Sequence, residues 1–206
     1  MKDNRHFTMI RGFYLADWFT LANAFCGMGA VLAVMAGLTR HDTHGLLLAT
    51  ALIPLALVFD VLDGRVARWR HQQSSLGREL DSLADVISFG VAPAAMAYGA
   101  GMRDGWDIAV LLYFVACGVS RLARYNISAE ALSEGGDKVK YFEGTPIPSS
   151  VLLVLLLGFA AWQGHVGEAL YLGRWQIGPA WIHPLVLLFA LSGSLMISKT
   201  IRIPKL

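Results

Sequence analysis

Six apolar stretches dominate this sequence and set what it can fold into. They lie near residues 18–38, 45–63, 80–100, 106–124, 147–164 and 179–198. Each approaches the length of about 20 mostly apolar residues that a helix needs to cross a bilayer. The pattern predicts an all-α integral membrane protein with six transmembrane helices, folded as a single domain over 1–206. Composition agrees. Hydrophobic residues make up 55% of the chain and charged residues 16%, with a mean hydropathy of +0.52; soluble domains run at roughly 45–50% and about 25%. The third stretch is the least regular, because Asp81 and Asp85 lie in it and Pro93 predicts a kink.

The basic residues give the orientation, since Lys and Arg collect in short cytoplasmic loops. With six spans, fourteen of the seventeen Lys and Arg fall on one side. These are Lys2, Arg5 and Arg11, then Arg65, Arg68, Arg70 and Arg78, then Arg121, Arg124, Lys138 and Lys140, and finally Lys199, Arg202 and Lys205. Arg40, Arg103 and Arg174 take the other side. The split predicts a multi-pass protein of the cell (inner) membrane with both termini cytoplasmic. The pI of about 8.6 then reflects topology, and a net charge of +2 gives no reason to expect a nucleic-acid partner.

Other features are quieter. Cys26 and Cys117 both sit in apolar runs, where a free cysteine behaves as a small hydrophobe, and no CxxC or Cys/His cluster is present. The first apolar run follows charged residues and lacks a small-residue cleavage site, so no cleavable signal peptide is expected. His6 to Asp17 mixes Arg11 with Phe7, Met9, Ile10, Phe13, Tyr14 and Leu15. It reads either as an interfacial amphipathic helix or as an extension of the first span. Residues 128–145 form the one long polar loop; loops of that length are often functional.

The chemistry lies in four aspartates. Asp60 and Asp63 close the second span, and Asp81 and Asp85 open the third. A charge at mid-membrane costs about 2.5–3.5 kcal/mol even on lenient scales, and close carboxylates repel one another. Spacings of i, i+3 and i, i+4 put each pair on one helical face. Antiparallel neighbouring helices bring the two faces together at the cytoplasmic boundary, where an all-oxygen cluster suits Mg2+, Mn2+ or Ca2+. The plainer alternative is ion pairing with Arg65, Arg68 and Arg78. No His or Cys stands in register for zinc; His71 is alone in the loop. Gly64, Ala67 and Gly77 allow a ligand or another backbone to come close. Arg68 offers a guanidinium fork for phosphate. Carboxylates, paired metals and an arginine together suggest phosphoryl chemistry.

These residues form one pattern, Asp60-x2-Asp63-Gly64-x2-Ala67-Arg68-x8-Gly77-x3-Asp81-x3-Asp85, with eight fixed positions across 26 residues. It resembles the signature of the CDP-alcohol phosphotransferase family with every spacing intact. Four further segments are similar to the bacterial and archaeal serine-accepting branch of that family. They are Phe19-Thr20-Leu-Ala-Asn23-Ala-Phe-Cys26-Gly27, Asp81-Ser-Leu-Ala-Asp85-Val-Ile-Ser-Phe-Gly-Val-Ala-Pro93, Arg121-Leu-Ala-Arg124-Tyr-Asn126 and Tyr141-Phe-Glu-Gly144-Thr-Pro146-Ile-Pro148. The resemblance covers most of residues 16–150, with a weaker echo over Leu195–Pro204. It departs at Ala16-Asp17, where the family often has Pro-Asn.

The resemblance implies displacement of CMP from CDP-diacylglycerol by a small alcohol, serine being favoured. Asp60, Asp63, Asp81 and Asp85 would hold two divalent cations, Mg2+ or Mn2+. Asp85 would be the base, with Asp81 sharing that role. Gly64, Ala67, Arg68, Gly77, Thr20 and Asn23 would bind the CDP-lipid, although Thr20 and Asn23 equally suit pairing between helices. Arg121, Arg124, Gly144 and Pro146 would bind the acceptor, although Arg121 and Arg124 also suit a positive-inside anchor. A homodimer is implied as well, with small residues such as Gly27, Gly29 and Ala30 available either for its face or for packing within one subunit. Other acceptors (glycerol 3-phosphate, an inositol phosphate or choline) fit the same chemistry. A divalent-cation transporter is the rival from another class.

Overall fold

The computed structural model describes residues 13–70, 75–133, 141–198 and 202–204. Residues 6–12 of the stretch read as interfacial, His71, and residues 134–140 of the polar loop lie outside the described set. The chain is mostly helical. Helix α1 spans Leu15–Arg40 and α2 spans His44–Trp69. Helix α3 is composite: Ser75–Asp85 in α geometry, Val86–Val91 as a π-helical segment, then Ala92–Ala100. Helix α4 runs Gly105–Ser133. Helices α5 (Val151–Trp162) and α6 (Leu187–Ile197) are each led in by a 3-10 turn, Ile147–Ser150 and Pro184–Val186. Four segments are long and apolar enough to cross a membrane: Leu15–Arg40, His44–Trp69, Leu76–Ala100 and Gly105–Ile127. Ile147–Trp162 and Pro184–Ile197 are shorter apolar helices.

The packing is inverted relative to a water-soluble bundle. Helix α1 turns Phe25, Leu32 and Met35 outward while burying Thr20, Asn23, Gly27 and Ala30. Large apolar groups outside and small or polar groups inside suit helices that meet lipid on one face and each other on the second. The most extensive contact is between α1 and α2. Phe89, Met96, Phe114, Val154 and Phe189 fill the shared core.

Two local features shape the site. Pro93 has no N–H to return to the carbonyl of Phe89, four residues earlier. The backbone runs through the π segment just before Pro93, and the buried Ser150 hydroxyl donates to that carbonyl at 2.8 Å. The expected kink is thus a π segment whose exposed acceptor is met from α5. Gly27 lets α1 close on the same segment: a Cβ there would lie 2.7 Å from Ser88 Cα.

The all-α expectation needs small corrections. Strand β1 (Tyr141–Glu143) pairs antiparallel with β4 (Arg202–Pro204), and β2 (Trp175–Ile177) with β3 (Ala180–Ile182). The sixth apolar stretch therefore becomes helical only from Pro184. Residues 180–182 are drawn into the ribbon across Gly178-Pro179, His183 before the proline is extended, and Pro184 opens the helical turn. Conversely, α2 runs on to Trp69, so Gly64, Ala67 and Arg68 are helical and not part of a loop.

Candidate active site

The acidic residues come from the facing ends of α2 and α3. Asp60, Asp63 and Asp81 each place a carboxylate oxygen within 4.8 Å of the other two. Asp85 lies one turn deeper on α3, is 7% exposed, and interacts electrostatically with all three. The i, i+3 and i, i+4 spacings therefore do what the sequence suggests, with three acids converging and the fourth standing behind them.

Helix α1 supplies the hydrogen bonds. The Thr20 hydroxyl donates to Asp63 Oδ2 at 2.8 Å, and Asn23 Nδ2 donates to Asp85 Oδ1 at 3.3 Å. Ser88, from the π segment, donates to the Asn23 carbonyl at 2.9 Å. Asp17 is a fifth acid that the sequence reading gave no role. It is buried, accepts the Tyr14 N–H at 2.8 Å as the cap of α1, and sits within electrostatic range of Asp63. Its place at the family's Pro-Asn position was the only available signal.

Small and basic residues border the acids. A Cβ at Gly64 would meet nothing nearer than the Arg68 guanidinium at 3.8 Å, so the helix surface there is open. Ala67 is half-buried, Arg68 is exposed, and Gly77 lies one turn before Asp81. On α4, Arg121 is half-buried and in electrostatic reach of Asp85, with its Nε buried and lacking a partner. Arg124 is exposed, its Nε turned back to the Ser120 carbonyl at 3.4 Å. The structure thus brings Arg121 within electrostatic reach of Asp85. Gly144, at φ +75°, packs against the end of α6; a Cβ there would lie 2.9 Å from the Met196 carbonyl carbon. Pro146 is exposed at the start of the 3-10 turn leading into α5.

A further clamp links α3 to α4. Ser82 donates to Asn126 Oδ1 at 3.1 Å, and Asn126 Nδ2 donates to the Glu79 carboxylate at 3.3 Å. Ser82 and Glu79 flank Asp81, so this network fixes the rotation of the acidic turn.

The donor set fits a hard divalent cation. Three carboxylate oxygens converge, and Asp81 Oδ1 is buried without a hydrogen-bond partner. A buried, unpartnered carboxylate oxygen is costly, and clustered acids repel. A cation answers both. Oxygen-only ligands at this count suit Mg2+, Mn2+ or Ca2+.

The comparisons with known proteins agree with this geometry. The family model for CDP-alcohol phosphatidyltransferase matches residues 13–192. A Saccharomyces cerevisiae protein named CDP-diacylglycerol--serine O-phosphatidyltransferase is 39% identical over 207 residues, covering 99% of this chain and 75% of its own length. Proteins of the same name from Mycobacterium tuberculosis and Bacillus subtilis are 38% and 32% identical. Those matches cover 70% and 71% of this chain, and 51% and 76% of the relatives. With the signature aspartates on two facing helices and a family match running through nearly all the described helices, this chain belongs to the CDP-alcohol phosphatidyltransferase family.

Proposed function

We propose that this protein transfers the phosphatidyl group from CDP-diacylglycerol to the hydroxyl of L-serine, giving phosphatidylserine and CMP. The observation that carries the reading is the convergence of Asp60, Asp63 and Asp81, with Asp85 adjoining, in a chain of this family. The serine-specific names of its relatives favour serine as acceptor.

Asp60, Asp63, Asp81 and Asp85 would hold two divalent cations, Mg2+ or Mn2+. When bound, such ions neutralise a pyrophosphate and stabilise the departing oxygen. The chain's own groups do the rest. Asp85 takes the proton from the serine hydroxyl, with Asp81 the alternative base. The serine oxygen forms a bond to the lipid-side phosphorus, and the bond from that phosphorus to CMP breaks. Gly64, Ala67 and Gly77 leave room for the cytidine and Arg68 contacts its phosphates, while Thr20 and Asn23 border the same pocket from α1. Arg121 meets the serine carboxylate, with Arg124 as an outer cation. The Gly144–Pro146 turn closes the acceptor side.

The setting follows from the same reading. All six apolar helices cross the cell (inner) membrane, both termini are cytoplasmic, and the site opens at the cytoplasmic face. The protein acts as a homodimer.

The test is CMP release by purified protein given CDP-diacylglycerol and a panel of alcohols. Serine is expected to support release. Release with glycerol 3-phosphate, an inositol phosphate or choline, and not with serine, overturns the acceptor assignment. No release with any alcohol, together with divalent-cation flux into liposomes, overturns the enzyme reading in favour of a transporter.

A further inference from the structure

The acids lie on α2 and α3, yet the hydrogen bonds that hold two of them come from α1. Thr20 and Asn23 are i, i+3 on that helix and so share a face. One reaches Asp63 on α2 at 2.8 Å and the other reaches Asp85 on α3 at 3.3 Å. Both donors are buried, Asn23 completely, and both acceptors are at most 7% exposed. Each bond engages one oxygen of its carboxylate. The donors are themselves fixed: Ser88 anchors the Asn23 carbonyl, and Gly27 allows α1 to approach the π segment that carries Ser88.

We propose that Thr20 and Asn23 are positioning residues that orient Asp63 and Asp85 and thereby set how tightly the acidic cluster holds a divalent cation. The proposal rests on the cation reading given above. Groups that hydrogen-bond to metal-ligating side chains restrict their rotation before the ion arrives, and their loss costs about 10–100-fold in metal affinity. A role confined to helix packing leaves cation affinity untouched. Asn23 adds a further point: its Oδ1 is buried with no partner, so the amide holds its orientation through its bond to Asp85 alone.

The experiment is Mn2+ titration of the full chain in nanodiscs, read by electron paramagnetic resonance without substrate. Thr20→Val and Asn23→Ala are each expected to weaken Mn2+ binding by about 10–100-fold. Thr20→Ser, which keeps the hydroxyl, is expected to restore it to within about threefold of the parent protein. Thermal unfolding in parallel shows that each variant is folded, and the two separate sites keep the test alive if one variant is not. Mn2+ affinity unchanged in a folded Thr20→Val or Asn23→Ala protein overturns the positioning role while leaving the proposed reaction standing. A parent protein that binds no Mn2+ overturns the cation reading, and this inference with it.

Discussion

Among the described residues, two acidic clusters lie at opposite ends of α3, and they have opposite characters. At the far end, Asp104, Asp107 and His183 also bring three ligand atoms within 4.8 Å. There, however, both oxygens of the buried Asp107 are engaged, and Asp104 lies 3.8 Å from the His183 ring. Asp107 accepts the His183 N–H at 2.8 Å, meets the His183 ring nitrogen Nδ1 at 2.6 Å, and accepts the Asp104 N–H at 3.2 Å. Asp107 is thus a satisfied joint that caps α4 and ties it to the chain entering α6. At the α2–α3 end, Asp63 accepts the Thr20 hydroxyl and Asp85 the Asn23 amide from α1, while the buried Asp81 Oδ1 has no hydrogen-bond partner. Proximity of carboxylates is common to both clusters. Hydrogen-bond accounting separates them: the buried, unpartnered Asp81 Oδ1 leaves the α2–α3 cluster with an acceptor that a cation would answer.

The sharpest way to break this contrast is to remove cations. Chelator is expected to stop CMP release completely, with Mg2+ or Mn2+ restoring it, while leaving the thermal stability contributed by the Asp107 joint unchanged; turnover indifferent to chelator contradicts the contrast. Next, Asp85→Asn is expected to lower CMP release by at least about 100-fold in a protein that still inserts, the usual scale for a lost general base. An active Asp85→Asn enzyme removes Asp85 from that role and leaves Asp81→Asn to be tested. Asp107→Ala reverses the pattern. It strips the acceptor from buried donors and is expected to cost about 2 kcal/mol of stability by thermal unfolding, with CMP release per folded molecule unchanged.

Smaller effects refine the α2–α3 side. Arg121→Ala is expected to raise the serine KM about tenfold, equivalent to about 1.4 kcal/mol, with CDP-lipid binding unaffected and Arg124→Ala milder. Equal losses for both substrates mean that the acceptor pocket lies elsewhere. Gly27→Ala forces a methyl against Ser88 and is expected to cost about 1 kcal/mol, read as a lowered unfolding temperature.

Much of the site was legible because helical periodicity is a property of sequence. The spacing of Asp60, Asp63, Asp81 and Asp85 requires two acidic faces, and the chain reversal between them makes those faces meet. The run of small and basic residues from Gly64 to Arg68 was harder to place. Hydropathy ends a span at the first charges, whereas backbone hydrogen bonding carries α2 on to Trp69. The π segment left only Pro93 as a trace, since its cause is a missing N–H answered by Ser150, some sixty residues away in sequence. The Asp107–His183 joint and the β2–β3 ribbon depend on pairings between residues that no local pattern connects. Asp17 was visible as a departure from the family pattern, but its burial beside Asp63 follows from where α1 packs.

The central claim is tested most directly by anomalous diffraction from crystals of this protein soaked in Mn2+. The account predicts density among Asp60, Asp63 and Asp81, next to Asp85, and none at Asp104, Asp107 and His183. Density at the second cluster alone, or at neither, contradicts it.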